Sequence, residues 1–138
     1  MYLKLTDSSN VIDYGFGLWL ISKIKTRLLS NIDTKKLVHW NNYFSELPSN
    51  EASIQDNSSQ QIIVFAVSNL TCKLNQGELI ITYDQTKFIP GYDRLKLSTA
   101  IKTINYGTLS IKGYPIFSDT FKYFAENIDT YIKLYYNI

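Results

Sequence analysis

The chain is poor in the residues that usually carry chemistry. Its 138 residues include one cysteine (Cys72), one histidine (His39) and one methionine. A single thiol rules out an intramolecular disulfide. One thiol and one imidazole cannot build a four-ligand structural zinc site either. Cys72 sits in an apolar, strand-like run, where it reads as a small buried hydrophobe. No apolar stretch approaches the roughly 20 residues that a membrane span needs. The opening MYLKLTDSSN lacks a basic region followed by an apolar one, so secretion by a signal peptide is not expected. The sequons at Asn57 and Asn69 are therefore read as chance matches. A reducing, intracellular setting is the expectation.

Catalytic and cofactor motifs are equally scarce. His39 and Cys72 could form a nucleophile–base pair only by folding, because neither VHW nor TCK matches a nucleophile motif. The twelve acidic residues are scattered, with no DxDxDG calcium loop. Tyr14-Gly15-Phe16-Gly17 has neither GxxxxGK[ST] nor the third glycine of a dinucleotide fingerprint. These glycines read instead as a sharp turn into the first helix. No enzyme and no cofactor are expected.

Charge gives little direction. The net charge is +2, and twelve lysines stand beside only two arginines. Lys23, Lys25, Arg27, Lys35 and Lys36 lie along one predicted helix pair, but the near balance of charge disfavours nucleic acid as the partner. The wealth of Lys, Ile, Asn and Tyr matches AT-rich codons and points to an AT-rich genome.

What is present is a patterned core. Residues 2–5 alternate as a short strand, and 6–10 (TDSSN) read as a turn. From Gly17 to Ser30, Leu20, Ile21, Ile24 and Leu28 repeat at helical spacing. Asp33 can cap a second helix carrying Leu37, Trp40, Phe44 and Leu47, which Pro48 ends, so an αα-hairpin is predicted. PSNEASIQDNSSQ (48–60) has almost nothing to bury and reads as a flexible polar loop.

QIIVFAV (61–67) is apolar on both faces and is predicted as a central strand. Leu70, Cys72 and Leu74 alternate, and NQGE turns the chain into ELIITY (78–83), forming a hairpin. Asp93 can cap a third helix with Leu97, Ala100, Ile101 and Ile104 inside, and Gly107 stands at its C-cap. TLSIK (108–112) reads as a short strand. Ser118 can cap a long terminal helix whose stripe runs from Phe117 through Phe121, Phe124, Ile128 and Ile132 to Tyr135.

The segment 122–138 holds four tyrosines, and the helical stripe makes it a core helix first. Tyr123 and Tyr136 fall off that stripe and are candidate partner-binding anchors, together with Lys23, Lys25 and Arg27. One α+β domain over 1–138 is expected: a small antiparallel sheet with a central hairpin, packed by about four helices.

The order of helix, hairpin built on QIIVFAV and GELIITY, helix and strand resembles the small neck and tail-completion proteins of tailed bacteriophages. That resemblance implies a non-catalytic virion component that meets itself and neighbouring virion proteins in a ring. Its place would be the virion or the cytoplasm of an infected bacterium. The terminal helix on Phe121, Phe124 and Ile128 departs from that pattern, and no functional residue carries over. The alternative is a small inhibitor, such as a phage-encoded blocker of a host defence enzyme.

Overall fold

The computed structural model describes residues 1–6, 12–48 and 58–138. Three strands form one antiparallel sheet in the order β1-β3-β2: β1 Leu3–Thr6, β2 Leu70–Asn75 and β3 Glu78–Tyr83. Leu3 and Cys72 flank Ile81 from opposite sides, and Leu5 and Leu74 flank Leu79. The pleat therefore collects Leu3, Leu5, Cys72, Leu79, Ile81 and Tyr83 on one buried face. Lys4, Lys73, Ile80 and Thr82 point to the other. The hairpin turn is Gln76-Gly77, both at positive φ (48° and 79°), which suits a two-residue turn between twisted strands.

Helix α1 (Tyr14–Ser30) crosses the buried face with Phe16, Leu20, Ile24 and Leu28 inside. Its glycines do not form a turn ahead of the helix. They belong to its first turns, and Asp13 caps it by accepting from the Phe16 N–H at 2.8 Å. Gly17 is small because the sheet lies directly beneath. A Cβ there would stand 3.0 Å from both Cys72 Sγ and a Leu79 methyl.

Asp33 does cap the next element, first a short 3-10 turn (Thr34–Leu37) and then α2 (Val38–Ser45). The hairpin of helices is present as the sequence pattern suggests. The turn expected at 6–10 lies outside the described residues from Asp7 on, as does most of the 48–60 loop.

QIIVFAV is not a strand. It belongs to α3 (Ser58–Val67), whose buried residues are Ser58, Ser59, Ile62, Ile63, Ala66 and Val67. That rhythm of adjacent pairs every four residues is helical. A short apolar run fits a covered helix as well as a covered strand. The place beside β3 is already taken by β1 on one side and β2 on the other. Ser58–Gln60, expected in the loop, open this helix, and Asn41 of α2 meets the backbone N–H of Ser59. Its Oδ1 accepts from the Ser59 N–H at 3.0 Å and from the Ser59 hydroxyl.

Helix α4 (Leu97–Tyr106) buries Leu97, Ala100, Ile101 and Ile104, as its spacing predicts. Asp93 is not its cap. The helix starts four residues later, after a tight loop in which Ile89 N–H donates to Leu95 C=O at 2.7 Å. Gly107 ends it at φ +85°. TLSIK adds no strand to the sheet and folds back on itself through a single Gly107–Lys112 bridge.

The terminal stripe is split in two, α5 (Ile116–Glu126) and α6 (Ile128–Tyr136). Asn127 leaves helical geometry and its side chain donates to Tyr123 C=O at 2.8 Å, closing α5. Phe117, Phe121 and Phe124 are buried, while α6 has no fully buried residue and lies on α1 as an outer cover. Ser118 does not cap α5, because Asn105 performs that task from α4. Its Oδ1 accepts from the N–H groups of Phe117 (3.2 Å) and Ser118 (3.0 Å), and its Nδ2 donates to Ser118 Oγ at 3.0 Å.

Candidate functional site

The tail tyrosines stitch the molecule together. Arg27 lays its guanidinium 3.3 Å over the Tyr123 ring, and the Tyr123 and Tyr131 hydroxyls meet at 3.2 Å. The Tyr131 ring stacks 4.9 Å from Phe124, while Trp19 packs 5.1 Å from Tyr135. Lys23 covers the other side of that seam, 5.2 Å from the Trp19 ring. At the far end the Asp13 N–H donates to the Tyr136 hydroxyl at 3.0 Å, joining α6 to the start of α1. Burial, helped by the neighbouring Tyr123 hydroxyl, pushes the Tyr131 pKa up to about 12, with Arg27 pulling the other way.

Of the five candidate anchors, the fold brings Lys23, Arg27 and Tyr123 into one seam along α1. Tyr136 sits at the opposite end of that seam. Lys25 stands apart on the exposed side of the helix. Tyr123 and Tyr136 are half-buried and already engaged, so they do not project as free rings.

A different part of the molecule projects an apolar side chain into solvent. The segment 107–113 crosses itself at two glycines. A Cβ on Gly113 would lie 2.6 Å from Asn105 C=O, and one on Gly107 would lie 2.5 Å from both Gly113 N and Ile111 O. Only glycine permits that backbone approach. Inside the loop, Thr108 Oγ1 accepts from the Ser110 and Ile111 N–H groups at 3.2 and 3.0 Å, and Thr108 N–H donates to Ile111 C=O at 2.9 Å. At the tip of this tied loop stands Leu109, fully exposed at 110%.

Beside the tip lies a cleft of about 570 Å³ between this loop and α2. Its lining carries the basic side chains Lys36 and Lys112 and the imidazole of His39, with Ile111 and the Tyr114 ring as the wall. Among the described residues no carboxylate lines it. Lys36 Nζ stands 5.4 Å from the Tyr114 ring. The Tyr114 hydroxyl in turn holds the turn before α2, donating to Asn31 C=O at 2.7 Å and accepting from the Asp33 N–H at 3.1 Å. Burial raises the Tyr114 pKa.

The only thiol and the only imidazole go to separate places. Cys72 lies under Gly17 and Leu79, where burial raises its pKa against a hydrogen bond from Tyr14. Such a thiol carries little thiolate at neutral pH. His39 lines the exposed cleft. Among the described residues no group of three or more His, Cys, Asp or Glu is placed to hold a metal ion. None of their helices is long and apolar enough to cross a membrane.

Sequence reasoning missed the Leu109 tip because TLSIK alternates like a strand. Two glycines six residues apart around a threonine were the available sign of a pinched loop. No protein-family model, curated protein or solved structure matches this chain.

Proposed function

We propose that the protein works without catalysis, by gripping an acidic partner protein through the 107–115 loop and the cleft beside it. The observation that carries this reading is Leu109, held bare on a loop whose backbone is pinned from within. A fully hydrated leucine on a rigid tip gains its transfer free energy, roughly 1.5–3 kcal/mol, only when a partner's pocket receives it. Little ordering entropy is then lost, since the loop is already fixed. Lys36 and Lys112 would meet carboxylates around that pocket, steering the encounter and setting its orientation.

A virion assembly protein of the neck or tail kind is one home for such a module. A blocker of a host enzyme is the other. The like charge of the cleft favours a partner of a different chain over a ring closed by this surface alone.

The test is a pull-down with the tagged protein beside its Leu109→Ser and Lys112→Glu variants, followed by titration of the retained partner in purified form. Both variants should keep the wild-type melting temperature and bind at least about tenfold more weakly, as expected for an anchor residue. Equal binding by all three would refute the assignment. Light scattering of the complex then separates the two homes: a ring or a growing polymer means assembly, a one-to-one complex means blocking.

A further inference from the structure

The outer edge of β1 lies apart from the 107–115 loop. β1 pairs with β3 on one side, and no described strand pairs with its other side. Every second residue of such an edge turns an N–H and a C=O outward, a ready template for another strand. Two grooves flank this edge, one on each face of the sheet, and both share Met1, Tyr2 and Lys4.

On the buried-face side the groove holds about 450 Å³, with Phe121 and Ala125 of α5 and Tyr106 from the end of α4 along it. On the open-face side a groove of about 330 Å³ runs over Ile80 and Thr82. Tyr2 and Tyr106 stand 60% and 68% exposed.

We infer that β1 takes up an extended segment of another protein as a fourth strand, and that the segment carries acidic side chains. Successive side chains of an added strand point to opposite faces. One set would therefore enter the α5 groove and the other the Ile80 groove. This is strand addition, in which main-chain bonds give affinity and alternate pockets give selectivity.

The acidic preference rests on Lys4 and Lys122, which line the grooves. Their present partners, Glu78 at 3.4 Å and Glu126 at 4.0 Å, hold them only through exposed pairs. Such exposed pairs contribute little and leave both ammonium groups able to take a further carboxylate. A second copy of this chain is the poorer occupant. Full antiparallel pairing of two Leu3–Thr6 strands would set each Lys4 opposite Leu5 of the other copy and so turn that copy's buried-face leucines to the open face, while the register shifted by one residue would set Lys4 against Lys4.

The test is independent of the Leu109 surface and uses the intact protein, labelled with 15N. Four acetylated, amidated hexapeptides serve as probes: Glu-Val-Asp-Val-Glu-Tyr, its analogue with Lys at each acidic position, and two forms of the acidic peptide N-methylated at either the odd or the even residues. The expected result is amide shifts at Leu3–Leu5 and Ser118–Ala125 on adding the acidic peptide, with those of 107–115 unmoved. Affinity should fall at least about tenfold for the lysine peptide through charge, and at least as far for one N-methylated register through lost main-chain bonds. No shift at β1 with any peptide would overturn the inference. So would equal binding of the N-methylated forms, or β1 shifts that grow with protein concentration alone, which would give the edge to a second copy. Equal binding of the acidic and lysine peptides would overturn the acidic preference.

Discussion

The guanidinium of Arg27 lies 3.3 Å from the centre of the Tyr123 ring, and through the Tyr123 hydroxyl it is one step from Tyr131. This stack joins the end of α1 to both terminal helices. Arg27 therefore works as internal mortar more than as a surface charge. Replacing it by Met keeps the apolar stem and removes the charge, and should cost about 1 kcal/mol, or roughly 3–4 °C in melting temperature. Lysine should rescue only part of this, because an ammonium cannot lie flat on the ring. Thermal denaturation followed by circular dichroism measures both.

Tyr83 offers the opposite sign. It is buried at 3% exposure between Phe117 and Phe121, and its hydroxyl has no hydrogen-bond partner among the described residues. Burial alone raises its pKa far above the ordinary value of 10.0. Tyr83→Phe removes a desolvated polar group and keeps the ring, so it should raise stability by about 1 kcal/mol. A loss of stability would mean that the hydroxyl has a partner.

The same chemistry sets an alkaline limit. Tyr131 titrates at about 12 in the folded protein against 10.0 when free, so the folded state holds its proton longer than the unfolded chain. Its contribution is fully present below pH 10 and is lost as pH rises through 12. Burial raises the Tyr83 and Tyr136 pKa values as well. Urea midpoints should therefore be flat up to about pH 9 and fall steeply above pH 10. In Tyr131→Phe the fall should be shallower, and an unchanged slope would remove Tyr131 from the cause.

Asn105 shows where sequence reading reached its limit. The stripes of α1, α4 and α5, the hairpin at Gln76-Gly77 and the cap at Asp33 were legible, since each depends on residues within a few positions of one another. The caps at Asn41 and Asn105 were not, because each serves a helix 12 to 18 residues further along the chain. Hidden for the same reason was the helical state of QIIVFAV, settled by the cap at Asn41 and by the β1 strand that fills its expected place. Of the candidate anchors, only the residue types, lysine, arginine and tyrosine, could be read from the sequence. Whether a tyrosine projects or docks depends on what lies across from it, and Asp13 for Tyr136 is 123 positions away.

The Asn105 cap carries a prediction of its own. Asn105 is buried at 2% exposure, and alanine there would strand the N–H groups of Phe117 and Ser118. The expected cost is about 2 kcal/mol. Asn105→Asp should recover part of it, since a carboxylate accepts both bonds at a helix N-terminus. Aspartate as costly as alanine would show that the bond from Nδ2 to Ser118 Oγ matters more.

The loop behind Leu109 gives the sharpest separation of stability from binding. A methyl group on Gly113 would meet Asn105 C=O and the carbonyl carbon of Tyr106 at 2.6 Å, and backbone at that distance cannot turn aside as a side chain would. Gly113→Ala should therefore cost about 3 kcal/mol and spread the crossing that carries Leu109 and Lys112. Leu109→Ser touches nothing in the fold and should stay within about 0.5 kcal/mol of wild type. If the loop is the gripping surface, both variants lose the partner, and only Gly113→Ala melts early. Partner binding that survives Gly113→Ala at a temperature where the variant is still folded would show that the pinned shape of the loop does not govern recognition.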